Sequence, residues 1–188
     1  MELAANEAYQ LHELAMSCVN SITNMGLFLN QVQDQKLRSM IERHFPLHIR
    51  DYNMKAEYLS KAEGATESLP VPDIKSILPS FTQSNVAIQP VKPRIDVQSL
   101  NDREIATAYL LTLKRAGREY AWSAMETSNP EVRAFLEDAF KMSSHHAHEV
   151  WQWMVENGYY PLEAASQKTL STFGKLYQTV EEPVLQMQ

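Results

Sequence analysis

SNPEVRAFLEDAFKMSSHHAHEVWQWMVENGYYP, residues Ser128 to Pro161, is the stretch whose reading decides the fold. Asn129 is placed to cap a helix, Pro130 takes a first-turn position whose N–H has no helical partner, and Glu131 suits the positive end of the helix dipole. Asn157-Gly158 supplies the stop, because glycine readily takes the left-handed conformation that ends many helices. Between these signals Val132, Phe135, Leu136, Ala139, His146, Val150 and Trp153 recur at helical spacing. The spacing predicts one long amphipathic helix with an imidazole, His146, in the middle of its buried stripe. Function is sought there first.

Working outward, Asn101 and Glu104 have capping-box spacing and open a helix predicted to reach Thr127. Leu3, Leu11, Leu14, Cys18, Ile22, Met25, Phe28 and Leu29 share one face of a first helix over Leu3 to Asn30. Asp34 caps a second helix running to about Ser60. Both connections are short, so each pair of helices is an antiparallel hairpin. From Lys61 to Leu100 the character changes, with Pro70, Pro72, Pro79, Pro90 and Pro93 and no sustained stripe. That length suits a crossover along a bundle rather than a turn. The expected class is all-α: one domain, a ferritin-like four-helix bundle made of two helix hairpins (about 3–60 and 101–158) joined by a long crossover (61–100). Residues 159–188 read as a tail with a short helix from Leu162 to Leu170 and a disordered end.

The two hairpins also resemble each other. Leu37-Arg38-Ser39-Met40-Ile41-Glu42 recurs in class and order as Val132-Arg133-Ala134-Phe135-Leu136-Glu137, and Phe45 and Phe140 keep step. Both blocks follow the turn of their own hairpin, which favours a duplication over chance similarity of amphipathic helices. Arg38 is then expected to correspond to Arg133, and Glu42 to Glu137.

Composition bounds the function. The chain has 188 residues, 44% of them hydrophobic, and a net charge of −6 with no run of lysine or arginine. This argues against nucleic acid or an anionic membrane as partner. Apolar runs fall far short of the roughly 20 residues of a membrane span. Residues Met1 to Gln10 lack the basic start and apolar core of a signal peptide, so synthesis inside the cell is expected. The single cysteine, Cys18, lies in an apolar stripe and reads as an inert buried thiol.

The histidines invite a metal reading. A ferritin-like dinuclear centre needs a glutamate from each of two helices and Glu-x-x-His from each of the other two. This chain offers the reverse order, His48-x-x-Asp51 and His146-x-x-Glu149, with His44 on the same face as His48. Antiparallel pairing sets His48 level with Leu14 to Cys18 and His146 near Tyr109 and Thr112, where no carboxylate points inward. Glu7 is on the buried face but about two turns away, at ~1.5 Å rise per residue. No dinuclear oxidase or catalase centre is therefore expected. The favoured reading is that His48 and His146 are core imidazoles bonded to Tyr109, Thr112, Ser17 or Ser143. A mononuclear or degenerate site among His44, His48, Asp51, His146 and Glu149 is the alternative. His12, His145 and His148 fall on outer faces. Trp151, Trp153, Tyr159 and Tyr160 either cap the core or form an interface for association.

The phrases REYAWSAMETSNPEVRAFL and HEVWQWMVENGYYP, with the His12-Glu13-Leu14 start and the QDQKLRSMI turn, resemble the coat F domain family of spore coat proteins. The resemblance covers roughly Glu7 to Pro161 and is weakest in the proline-rich middle. It implies a ferritin-like bundle, a place in the spore coat, and partners that are other coat proteins or a second copy of the chain in a homo-oligomer. It brings no catalytic residues. The expected function is thus non-enzymatic, without cofactor. A divalent metal ion is the first alternative, and a small molecule in an apolar pocket lined by Tyr109, His48 and His146 is the second.

Overall fold

The computed structural model describes residues 2–61, 63–76, 78 and 86–181, and among them all regular structure is helical. Five helices run in order: α1 (Ala5–Gln31), α2 (Gln35–Ser60), α3 (Asp102–Glu126), α4 (Pro130–Glu156) and α5 (Gln167–Leu176). The expected all-α bundle of two hairpins is what forms. None of the described helices is long and apolar enough to cross a membrane.

The caps read from the sequence start the helices. Asp34 accepts from the N–H of Leu37 at 2.8 Å, and Asn129 from those of Glu131 and Val132 at 3.0 and 3.2 Å. Asn101 and Glu104 close their capping box reciprocally. The α4 helix stops at Glu156, short of Pro161, where Gly158 turns with φ 71°. A Cβ there would also stand 2.9 Å from the Ala87 carbonyl oxygen, so the turn and the passing crossover both require glycine. The tail helix lies later than expected. It runs from Gln167 rather than Leu162, because Ser166 supplies the cap, accepting from the Thr169 N–H at 3.1 Å. The expected disordered end, beyond residue 181, lies outside the described residues.

Helix α1 packs against α2 and α3, and α4 against α3 and α2, so α1 and α4 stand on one diagonal. The start of α3 lies beside the α1–α2 turn, which places the crossover along the length of the bundle. It climbs the α2–α4 edge: the Pro72 carbonyl meets His145 Nδ1, Gln152 Nε2 donates to the Lys75 carbonyl at 2.8 Å, and Ala87 reaches Gly158. Leu69, 4% exposed, inserts into the lower core from this segment.

The internal resemblance extends to contacts. Arg38 Nη2 donates to the Val32 carbonyl and pairs with Glu42; Arg133 Nη1 donates to the Thr127 carbonyl and pairs with Glu137. Each turn is also clasped by the first turn of the other hairpin. Glu7 Oε1 accepts from the N–H of Ser128 and of Asn129, both at 2.8 Å. Asp102 accepts from the N–H of Gln33 and Asp34 at 2.8 and 3.0 Å. The shift that carries Leu37 onto Val132 carries Glu7 onto Asp102 and the first turn onto the second, so the two clasps correspond residue for residue.

The clasps differ in depth. Glu7 is 1% exposed, whereas Asp102 is half-buried. Burial pushes the Glu7 carboxyl up, but the N–H groups of Asn129, Ala4 and Ser128 hold it below the usual carboxylate range. Glu7→Ala takes a buried carboxylate acceptor from the Ser128 and Asn129 amides and is expected to cost ~2 kcal/mol, against less than ~1 kcal/mol for Asp102→Ala. Thermal melts of the two variants compare them directly, and equal losses would refute the asymmetry.

Candidate functional site: a polar layer at mid-bundle

The apolar core is in two halves. One surrounds Met25, Ile41, Ile105, Leu113 and Trp153, the other Leu11, Met54, Leu136 and Met142. Between them lies a layer to which every bundle helix contributes a polar side chain: Cys18 from α1, His44, His48, Asp51 and Lys55 from α2, Tyr109 and Tyr120 from α3, and His146 from α4. All eight are buried, so each needs a partner inside the layer.

Two imidazoles share one phenol, and a third bonds to one of them. His44 Nε2 lies 2.9 Å from a Glu149 oxygen and its Nδ1 lies 2.9 Å from Tyr109 Oη. A carboxylate only accepts, so Nε2–H is the donor, and neutral His44 leaves Nδ1 to accept the Tyr109 proton. His48 Nε2 stands 3.3 Å from Tyr109 Oη and 3.2 Å from His146 Nδ1, so its N–H is shared between two acceptors. The His44 and His146 rings stack with centroids 3.6 Å apart. Glu149 thus sets a tautomer that propagates inward through Tyr109. Arg43 holds Glu149 from the rim.

Burial keeps these imidazoles neutral. It pulls His48 down to about 4 in spite of the nearby Asp51 charge. Burial, with His44 and His48 alongside, holds His146 further below its ordinary value. His44 is lowered by burial too, although its bond to Glu149 works the other way. Burial and the Glu149 charge push the Tyr109 phenol well up, so the phenol also stays neutral.

The second half of the layer is ionic. Lys55, 0% exposed, pairs with Asp51, also 0% exposed. Tyr120 Oη donates to Asp51 Oδ2 at 2.6 Å and Cys18 Sγ donates to the same oxygen at 3.1 Å. The ammonium sits over the Tyr120 and Phe135 rings, 4.8 and 5.1 Å from their centroids. Burial alone would raise the Asp51 carboxyl, but Lys55, Tyr120 and Cys18 together hold it below its usual range. Burial and the Asp51 charge push the Cys18 thiol up to about 12, which leaves it an unreactive thiol.

Sequence reading named His44, His48, His146 and Glu149, and the fold brings those four together. Asp51 stays close enough for its charge to act on His48, but it is paired with Lys55. Of the hydroxyls expected to serve His48 and His146, Tyr109 meets His48, while His146 meets the His48 ring instead; Ser143 donates to the Leu113 carbonyl and Ser17 accepts from Arg115. Lys55 and Tyr120 were not anticipated, although Lys55 follows Asp51 by one helical turn and therefore shares its buried face. Trp153, offered as an interface residue, is 2% exposed and donates to Asp34 Oδ1 at 3.0 Å, so it is core. Trp151, Tyr159 and Tyr160 are half-buried, with Tyr159 under Arg103 and Tyr160 accepting from Lys114 at 3.2 Å.

A cleft of about 380 Å³ opens outside this layer between α2, α4 and the crossover, lined by Arg43, His44, Lys75, His145, His146 and Glu149 among others. Tyr109 and His48 do not line it. The residues do not fit a dinuclear centre. At this level α1 and α3 present Cys18, Tyr109 and Tyr120 where bridging glutamates are needed, and the buried carboxylate already faces an ammonium. Among the described residues no group of three or more His, Cys, Asp or Glu is arranged to hold a metal ion.

The fold and layer together define a helical bundle of two clasped hairpins with a neutral imidazole cluster at its centre. The Coat F domain family matches residues 101–163, which are α3, α4, the turn between them and the aromatic end. The resemblance to the coat F family is thereby shown over the second hairpin. The fold is similar to the crystal structure of a candidate spore coat protein from Bacillus halodurans C-125, with a TM-score of 0.64 at 13% identity. The match covers 89% of this chain and 98% of that one. Among curated proteins none matches the chain.

Proposed function

We propose that this chain is a non-enzymatic protein of the spore coat that acts by associating with itself or with other coat proteins. The Coat F match and the likeness to a candidate spore coat protein support the location. The observation that carries the non-enzymatic reading is the closure of the polar layer. Both His44 nitrogens, the Tyr109 hydroxyl and the Asp51 carboxylate are engaged by neighbouring side chains. Apolar area is meanwhile turned outward, with Tyr9 74%, Trp122 71% and Met125 72% exposed. Exposed aromatic and methionine surface is the chemistry of association.

Fractionation of sporulating cells tests the proposal. The chain is expected in coat extracts and not in vegetative culture; comparable amounts in growing cells would reject it. The metal alternative is tested on untagged protein dialysed against iron, manganese or zinc and analysed for metal content. Well under one ion per chain is expected, and two tightly held ions lost on His48→Ala or His146→Ala would overturn the reading.

A further inference from the structure

The molecule carries two unpartnered apolar surfaces of matching size. The first is a groove between α1 and α3, walled by Tyr9, Met16 and Trp122 over a floor of Leu14 and Gln10, with the charged Glu13, Arg115, Arg118 and Glu119 also in its lining. It extends along α1 from Tyr9 to Asn20, about 16 Å at 1.5 Å per residue. The second is α5, ten residues long and so about 15 Å. Its apolar residues Leu170 and Phe173 fall at i and i+3, the anchor spacing of a helix that lies in a groove, and Tyr177 follows as the C-cap residue just past the last turn. Lys168 and Lys175 project from the opposite face, so docking the stripe buries no charge on the helix.

The surfaces match in polarity as well. Gln10 Oε1, on the groove floor, is buried with no hydrogen-bond partner. Among these three side chains the one hydrogen-bond donor is the Tyr177 hydroxyl. A helix of this length is marginal alone in water and gains its stability from a covered face. The chain's own bundle provides no cover: every residue from 161 to 181 is exposed. We propose that α5 of a second copy occupies the α1–α3 groove, with the two copies exchanging their tail helices about a two-fold axis. Exchange of an identical element is a low-cost route to a dimer. Each docked helix brings Phe173 and Tyr177 against Tyr9 and Trp122. At roughly 150–250 Å² per buried aromatic, two such sites reach the ~1,200 Å² of a specific interface.

This inference rests on the association reading above and names its surface. Light scattering on the full-length, untagged chain at micromolar concentration is expected to give twice the 21.5 kDa chain mass. Phe173→Glu on the helix and Trp122→Glu in the groove are each expected to halve that mass, with the four-helix bundle still folded and a loss of helical circular dichroism no larger than the ten residues of α5. Mixing the two variants restores one intact site, the groove of the first with the helix of the second, and is expected to recover dimer. A monomeric wild type, a dimer that survives Phe173→Glu, or a mixture that stays monomeric would overturn the exchange; the first of these is what docking within one chain would give. A monomer that still co-extracts with the coat would sink the exchange and leave the coat assignment standing, so the two readings fail separately.

Discussion

Replacing Asp51 by asparagine is expected to be the most damaging single change in the polar layer, at ~3–5 kcal/mol. The substitution conserves shape but leaves the Lys55 ammonium, 0% exposed, without its counter-charge. The penalty is that of an uncompensated buried cation, which far exceeds the net worth of the pair itself. Tyr120 would keep an acceptor of sorts, so the loss is assigned to charge rather than to hydrogen bonding. Asp51→Leu combined with Lys55→Met removes both charges and should cost less than Asp51→Asn alone, even though Tyr120 Oη then loses its partner. Urea unfolding followed by circular dichroism measures both. An Asp51→Asn protein within about 1 kcal/mol of wild type would mean that water reaches the pair.

The second large effect is on pH. An unfolded histidine takes up its proton near pH 6.5, about its ordinary value. In the fold His48 does so only near 4, because burial disfavours the imidazolium. Between those values the unfolded chain binds more protons than the native one. The stability linked to His48 is therefore complete above about pH 6.5 and is lost as the pH falls towards 4. The shift amounts to ~3 kcal/mol for this residue. His44 and His146 are displaced in the same direction and steepen the fall. The groups facing His48 are Tyr109 and His146 across the layer and His44, Asp51 and Lys55 on its own helix. Only Asp51 favours the charged ring, and it is already committed to Lys55. Unfolding midpoints taken between about pH 7.5 and about pH 4.5 should drop steeply, and His48→Gln should flatten the drop. A midpoint constant across that window would show the imidazoles to be hydrated.

How much of this was legible in the chain differs by level. The caps at Asp34, Asn101 and Asn129, the stop at Gly158 and the apolar stripes are local chemistry. Each depends on residues within a turn or two of one another, so four helices and two hairpins follow from the order of the amino acids alone. The resemblance of Leu37–Glu42 to Val132–Glu137 likewise predicted which turns correspond. The clasps did not follow, because Glu7 and Asp102 act on turns more than a hundred and nearly seventy positions away.

The polar layer shows the same division more sharply. That His44, His48 and His146 lie on buried faces is a matter of helical period. Which atoms they meet is a matter of the register between helices, fixed by the lengths of the two turns and by interlocking of side chains across the bundle. A one-turn slide would set His48 against different partners without altering a single helix. For this reason the sequence left Asp51 a candidate ligand beside the histidines in the alternative metal reading, whereas packing delivers it to Lys55, Tyr120 and Cys18. For Trp153 the sequence left core cap and interface both open, and the packing of α4 against Asp34 decides for core. The tail helix starts at Ser166 because a cap is local. What its apolar face covers is a question of assembly, since no contact within one chain answers it.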